Sequence, residues 1–596
     1  MFPDLSTVNT VAFDTETTGL NWREDQTVGL VLTWGMGPDE TRYYPIRHTG
    51  GGNLEAAPVL RFFRDLFKRI DLRVVMHNAA FDLLFASKDG IEILGPIEDT
   101  QINEALIDEN ARSYSLDACC GRRGVQAKKG DPLYQHLAEV CGGKAERSQM
   151  ENFHKLPGDD PLVVDYAAGD GTSTLQLWSA QQTELHRQNL GTVHTVECRL
   201  IPVLHRAKLR GVPIDEEELR RTRQQVVDMR DAAHVNVGLI NVKSAAQVES
   251  YLQERISMGE AVPPWPRTRP STRYPEGQNS FPAAYLESFE AGLRIVRVRK
   301  LSNLLSTFID PMLERHIIRG MVYPSFSQTA SDDYGTVTGR LSSFQPNMQQ
   351  VPKRNKELGR LFRRSFIPPS GMVWWEADYS QCEYRLFAHY AKSEKLIRGY
   401  NEEGIDMHQM VAGLLDMPRS QAKNMNFGIL YGMGDRSLAG HIGADLTTAK
   451  LKRAQYFLEI PEASDFSSKA ARAVRDRGYI RTLLGRRRRW PDNLRLKLAY
   501  QAINAICQGG NADIMKAKMV EIDDFFEATG RGHLGFSVHD AANFFTPVGD
   551  QETPKEVCRI MTDFSQGFFA GKPLRVRMEV DSGSGANWAE ASYGTE

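Results

Sequence analysis

Two groups of carboxylates have types and spacings that could do chemistry. In the first, Asp14 and Glu16 lie two apart in FDTETTGL, directly after the β-rich run 7–13 (TVNTVAF). Residues i and i+2 of a strand point to the same side. Asp82 follows in HNAAFD, and Asp170 in DYAAGD, four residues after Tyr166. On a helix, positions i and i+4 share a face, so Tyr166 and Asp170 can meet one ligand. Hard anionic oxygens of this kind suit Mg²⁺ or Mn²⁺. Four acids from three segments can hold two such ions about 4 Å apart, which activates a water and stabilises the leaving oxygen in phosphodiester cleavage. Taken singly, each acid reads as a cap or a solvated charge, so the ordered set carries the reading.

The second group lies between 336 and 545. Asp378 ends an apolar run (373–378, VWWEAD) and opens DYSQCEYR. Asp540 sits in SVHDAANFF, near the tip of a hairpin pattern over 534–546. Read as two strand-borne acids, they could hold two ions for phosphoryl transfer to a hydroxyl nucleophile. Between them, Arg419, Lys423, Phe427 and Tyr431 recur every four residues in RSQAKNMNFGILYG. That spacing makes one slowly drifting helical stripe. Two cations suit a triphosphate, and two aromatics suit a sugar and a base. The bland alternative is an amphipathic helix with a basic end. His408 in DMHQM could add a phosphate contact. TVTGRLSSFQPNMQQVPKR (336–354) offers donors for phosphates and for minor-groove acceptors, or is simply a polar loop.

The elements that must position these residues follow from the patterning. A second strand at 74–77 (VVMH) precedes NAAFDLLF, which has helical spacing. Alternating strands and helices over the first 190 residues predict an α/β domain. Residues 195–260 are helical in pattern, with a turn at Gly211–Pro213. Residues 262–282 hold six of the 28 prolines and read as a loop or linker. Helix resumes over 283–316, and 385–480 is mainly helical. There is no internal repeat or low-complexity tract.

The ordered set DTET, HNAAFD, YAAGD resembles the proofreading 3′→5′ exonuclease domain of DNA polymerases, in the subclass with Tyr in its third motif. TGRLSS…PNMQ, DYSQCEYR, RxxxKxxxFxxxYG and VHD resemble the motifs of family-A DNA polymerases, the group of bacterial polymerase I and related phage enzymes. GVPID (211–215) and INVKSAAQV (240–248) resemble the thumb of that family. NAICQGGNADIMK (504–516) resembles a palm motif, and GANWAEA (585–591) a C-terminal signature. The match covers nearly the whole chain.

The resemblance implies an α/β and α+β multidomain protein. An RNase H-like exonuclease domain (1–190) is followed by a right-hand polymerase. Its thumb and the approach to the palm span 195–330, its palm 331–384 and 500–596, and its fingers 385–499. In the exonuclease it implies Asp14, Glu16, Asp82 and Asp170 as metal ligands and Tyr166 orienting the attacking water. Asn78 and Phe81 would contact a single-stranded 3′ end. In the polymerase it implies Asp378, Asp540 and the backbone carbonyl of Tyr379 as metal ligands, with Glu383 as a steric gate against a ribose 2′-hydroxyl. Arg419, Lys423 and His408 would grip the triphosphate, with Phe427, Tyr431 and Gln381 beside the incoming nucleotide. Arg340, Asn347, Gln349, Asn504, Gln508 and His539 would contact the primer-template. Phe427 in place of Tyr implies discrimination against dideoxynucleotides. The run Arg486–Arg489 reads equally as a contact to template phosphates or as a solvated basic turn.

The implied function is template-directed DNA synthesis with proofreading, in phage or prophage replication, by a cytoplasmic monomer. It would use two Mg²⁺ per site, with Mn²⁺ able to substitute. The partners would be primer-template DNA, dNTPs and a single-stranded 3′ end. The alternatives are a bacterial or plasmid repair polymerase, a catalytically impaired DNA-binding relative, and a single-subunit RNA polymerase. The pattern departs from the family at Ala541, where VHD is usually followed by Glu, at Tyr500, where Arg is frequent, and at Cys382, usually aliphatic. With the first catalytic acid at residue 14, neither a 5′-nuclease domain nor a transit peptide is expected ahead of it. No thioredoxin-type clamp insertion is expected in the thumb.

Charge agrees with this division. The chain has 596 residues and a net charge of −2. Residues 1–190 hold 18 basic and 28 acidic side chains, net −10, and the rest hold 55 and 47, net +8. Such asymmetry points to nucleic-acid work, with duplex affinity and its salt dependence placed after residue 190. With 41% hydrophobic and 25% charged residues, disorder as the main state is excluded. No apolar run approaches the ~18 residues of a membrane span, and no secretory signal opens the chain. Seven cysteines without a CxxC pair read as reduced intracellular thiols.

Overall fold

In the computed structural model, residues 2–595 are described except 38, 129, 330–335 and 403–405. The first half is built on a five-stranded sheet. Its strands are β1 (Thr10–Thr17), β2 (Thr27–Thr33), β3 (Thr41–Pro45), β4 (Arg73–Met76) and β5 (Ile97–Asp99), in the order β3-β2-β1-β4-β5. The central strand, β1, runs antiparallel to β2 and parallel to β4. Val11, Phe13, Leu30, Leu32 and Val74 are fully buried in the core beside it. Helices Ala79–Lys88 and Pro161–Arg187 bring Asp82 and Asp170 to β1. The second of these starts sharply: Asp160 caps the Leu162 amide and Pro161 takes the first turn.

Helix Gly191–Arg210 joins the halves. It packs against helix Ala79–Lys88 and β5 on one side, and against the long helix Ala502–Thr529 on the other. Four helices follow (Glu216–Val235, Ala245–Ser257, the short Ala283–Leu286, Glu290–Asn303). Residues 262–282 form neither helix nor strand, apart from one isolated bridge between Arg267 and Asn279. Among the described residues no helix is long and apolar enough to cross a membrane.

The second half is centred on a four-stranded antiparallel sheet, ordered His533–Val538, Ala541–Pro547, Met372–Tyr379, Val580–Gly585. Asp378 pairs with Ala541 on one side and Asp581 on the other. Asp540 is not strand-borne, contrary to the reading from the sequence. The strands stop at Val538 and resume at Ala541, so His539 and Asp540 form the hairpin tip, with His539 at φ 55°.

Two residues before Asp378, Glu376 is buried and gathers four donors. Trp588 Nε1 and Ser592 Oγ each donate to it at 2.8 Å, and Lys353 Nζ lies at 2.9 Å. The fully buried Arg363 guanidinium donates at 3.4 Å. Burial opposes the Glu376 charge, but Lys353 and Arg363 hold its carboxyl below the usual range. Trp588 and Ser592 lie on the short helix Trp588–Tyr593, so the C-terminal motif clamps the strand that carries Asp378.

The run Arg486–Arg489 serves neither of the roles read from the sequence. Arg486 ion-pairs with Glu197 of the junction helix and with Asp513 of the long helix, the latter at 2.7 Å. Lys516 adds a contact to Glu197 at 2.7 Å. Arg488 and Arg489 pair with Glu109, and Arg487 donates to the Gln188 carbonyl at 2.8 Å. The hairpin Tyr479–Arg481/Arg487–Arg489 is thus held against the first half by its cations.

Glu376→Ala would leave Arg363 buried without its charge partner, at a cost of ~3–5 kcal/mol. Urea unfolding should show that loss; a midpoint at the wild-type value would refute the clamp.

Candidate active sites

In the first half, β1 and helix Pro161–Arg187 bring ligand atoms of Asp14, Glu16 and Asp170 within 4.8 Å of one another. Asp82, the fourth expected acid, stands one step aside. Its Oδ1 accepts the Thr15 amide at 3.0 Å and the Thr15 hydroxyl at 2.7 Å, which ties helix to strand directly between Asp14 and Glu16. Burial raises the carboxyl pKa of all four acids; repulsion within the cluster adds to it at Asp14, Glu16 and Asp82, whereas at Asp170 the Lys128 ammonium opposes it. For Asp14 the value reaches about 7, through its low-dielectric setting first and Asp170 next. Glu16 Oε1 and Asp170 Oδ1 are buried with no hydrogen-bond partner among the described residues. Buried oxygens left in this state fit a divalent cation. Tyr166, one turn before Asp170, is buried, and burial with the nearby Asp170 keeps its phenol protonated. Asn78 and Phe81 lie at the start of helix Ala79–Lys88 and line a cavity of about 890 Å³.

In the second half, Asp378 and Asp540 line one cleft of about 650 Å³ with Gln349, Lys353 and His539. Lys353 Nζ lies 2.6 Å from Asp378 Oδ2, and Asn511 donates to Asp540 Oδ1 at 2.6 Å. The Tyr379 amide donates to the Asp540 carbonyl at 3.2 Å, which couples the strand end to the hairpin tip. Glu383 is paired with Arg340 and accepts the Tyr431 hydroxyl at 3.3 Å. Arg340 therefore faces the acids, 3.8 Å from Asp540 Oδ1, rather than standing as a separate donor. Phe427 and Tyr431 stack at 5.8 Å on helix Arg419–Leu430 and its cap. Lys423 on the same stripe is exposed, and Arg419 is ion-paired with Asp406.

His408 departs from the expected cation. It is buried, its Nδ1 accepts from Asn426 at 2.8 Å, and burial pushes its pKa down to about 4. It offers a neutral N–H, not a charge. Gln381 accepts from Tyr400 at 3.1 Å, and Gln508 is bonded to Tyr431. Asn347 caps the Gln349 and Gln350 amides, and the His539 ring is bonded to the Gln349 backbone. Asn504 Oδ1 is buried without a partner among the described residues.

Several residues at these sites carried no legible signal. Lys128 Nζ lies 2.5 Å from Asp170 Oδ2, though AKKG has no motif spacing. Lys353 counted only as one more basic residue of its loop. Arg23 stacks 4.2 Å above Trp22 and 3.6 Å from the Tyr323 ring, a cation–π bridge across the large cavity between the halves.

Two buried sheets thus each present an acid cluster fit for divalent cations, one beside a phenol and one beside a basic-aromatic helix. That pairing defines a phosphoryl-transfer protein with two centres. Residues 215–590 match the model of DNA polymerase family A, and residues 1–186 that of a 3′-5′ exonuclease. The chain belongs to DNA polymerase family A and carries an exonuclease domain ahead of its polymerase domain. It is 32% identical to DNA polymerase DpoZ of Salmonella phage PMBT28, over 99% of both chains. It is 29% identical to DNA polymerase I of Rhizobium leguminosarum, over 99% of this chain and 60% of that one. Its fold is similar to the POL domain of Pol1 from M. smegmatis, solved with DNA primer-template and dNTP, at a TM-score of 0.79 and 24% identity, covering 100% and 99% of the chains.

Asp14 gives a pH prediction. Its folded pKa of about 7 lies above the ordinary 3.8, so its stabilising contribution is full below 3.8 and lost as pH rises through 7. In EDTA at pH 8, Asp14→Asn should melt above the wild type while losing excision; a lower melting point would contradict the crowding.

Proposed function

We propose that the chain extends a primer 5′→3′ on a DNA template at the Asp378–Asp540 site and excises nucleotides from a 3′ end at the Asp14–Glu16–Asp170 site. The observation that carries this reading is the separation of two acid groups, a largely buried one (Asp14, Glu16, Asp170) beside the first sheet and one that opens on a cleft (Asp378, Asp540) beside the second, each inside the segment that matches the corresponding family model. Asp14, Glu16, Asp82 and Asp170 would hold one pair of Mg²⁺ ions. Asp378, Asp540 and the Tyr379 carbonyl would hold the other. Bound there, such ions supply Lewis-acid stabilisation of the transferring phosphoryl group.

The rest is work for the side chains. Lys423 and Arg419 take the triphosphate, which requires Arg419 to exchange Asp406 for phosphate oxygens. Phe427 and Tyr431 flank the nucleotide. Glu383, held by Arg340 and Tyr431, stands where a 2′-hydroxyl would crowd it. Tyr166 donates its hydroxyl proton to the attacking water's oxygen and so fixes its approach. The cavity lined by Asn78, Phe81, Lys208 and Asn347 gives an unpaired 3′ end a path between the sites.

We place this activity in phage DNA replication, in the cytoplasm of a bacterial host. The phage relatives support that reading: two of them are 32% and 30% identical over 98% or more of both chains.

Asp378→Ala should lower primer extension roughly 10³-fold or more and leave single-strand degradation intact; surviving extension would show the site to be misplaced. Glu383→Ala should raise ribonucleotide incorporation by roughly tenfold or more, and an unchanged ratio would remove the gate.

A further inference from the structure

Lys128 lies outside every motif read from the sequence, yet the fold builds it into the exonuclease centre. Its segment, 125–128, runs over helix Pro161–Arg187, the helix that carries Tyr166 and Asp170. Two features hold it there. Ser173 Oγ donates to the Gln126 carbonyl at 3.0 Å. Gly169 lets the segment close in, because a Cβ at that position would come within 3.3 Å of Lys128 Cβ. The lysine side chain is only 14% exposed. Its ammonium lies 2.5 Å from Asp170 Oδ2 and 4.1 Å from the centre of the Tyr166 ring.

An ammonium is strongly hydrated, so burying one has a desolvation cost that a surface lysine does not bear. Here the ammonium is desolvated between the two residues that face the reacting phosphate. Of its three donors, one goes to Asp170 and the ring face of Tyr166 covers a second direction. The remaining donor would be within hydrogen-bond reach of a phosphate oxygen brought up to the Asp170 end of the cluster. The incoming strand is anionic and must enter beside four carboxylates, so a buried, pre-oriented cation there acts on the strand as well as on the acids.

We propose that Lys128 is a further catalytic residue of the exonuclease, one that binds the scissile phosphate of the 3′-terminal nucleotide and holds it against the Asp14–Glu16–Asp170 cluster. This rests on the reading of that cluster as the excision site. Lys128 makes and breaks no covalent bond. The oxygen of water bonds to phosphorus, the bond from phosphorus to the primer O3′ breaks, water gives up a proton to solvent, and O3′ takes one up. The ammonium stabilises the extra negative charge of the transition state and keeps its own protons.

The test uses the full-length enzyme with Lys128→Met, Lys128→Arg and Asp14→Ala. Excision of a single-stranded oligonucleotide is measured at saturating Mn²⁺, primer extension on the same preparations, and Mn²⁺ binding to the DNA-free proteins by calorimetry. Lys128→Met should slow excision on the order of 10²–10³-fold, keep the wild-type number of bound Mn²⁺ ions, and extend primers at the wild-type rate. Lys128→Arg should recover most of the loss. Excision by Lys128→Met at the wild-type rate would overturn the proposal. So would a missing Mn²⁺ ion, or a loss that excess Mn²⁺ restores, since either makes the lysine a support for the metal site alone. If Asp14→Ala is inactive while Lys128→Met is not, only the role of Lys128 falls. If Asp14→Ala still excises, the reading of the site itself falls.

Discussion

One buried ion cluster fixes the junction helix to the polymerase half, and the arginine hairpin it anchors reaches the exonuclease domain. Glu197 and Lys516 are each 1% exposed, Asp513 is fully buried, and Arg486 is 8% exposed. Charges this deep are tolerable only when paired, and removing one partner leaves the others strongly unfavourable. Burial works against the Glu197 charge, yet Lys516 and Arg486 hold its carboxyl at about 2. The carboxyl is therefore charged at any pH above that value. The cluster ties the junction helix, the arginine hairpin and the long helix Ala502–Thr529 to one another. From the same hairpin, Arg488 and Arg489 reach Glu109 of the exonuclease domain.

The acid centres show the opposite economy. The exonuclease centre crowds carboxylates where water is scarce, which lowers stability until a cation is near, whereas Asp378 and Asp540 keep partial access to water. In both, a lysine from a neighbouring segment sits on one acid: Lys128 on Asp170 and Lys353 on Asp378. Glu376 stands beside Asp378 but its Oε2 is committed to Trp588 and Ser592, so it replaces no missing catalytic acid. Ala541 pairs directly with Asp378, so the position after Asp540 brings no carboxylate to that pair.

Local rules made much of this legible. Period two on a strand placed Asp14 and Glu16 together, and i,i+4 on a helix placed Tyr166 with Asp170. The stripe from Arg419 to Tyr431 is one helix with its cap. Asp540 was misread as strand-borne because the alternation around it is unbroken, whereas the turn occupies only His539 and Asp540. What escaped was long-range. Arg486 and Glu197 are 289 positions apart, and Trp588 reaches Glu376 across 212. A run of arginines looks the same whether it meets phosphates, water or buried carboxylates, and only the fold decides. His408 illustrates the same limit: its burial, not its type, makes it neutral.

The account stands on the junction cluster making one working body of two centres. The most direct measurement is correction of a 3′-mispaired primer in a single binding event, with excess trap DNA present, for wild type and Glu197→Gln. Excision and extension are also assayed separately, each on its own substrate. The expected result is excision followed by extension within one encounter for the wild type, and loss of that sequence in the variant, which melts lower but is folded at the assay temperature and retains each separate activity. Single-encounter correction that is unchanged in Glu197→Gln would contradict the account.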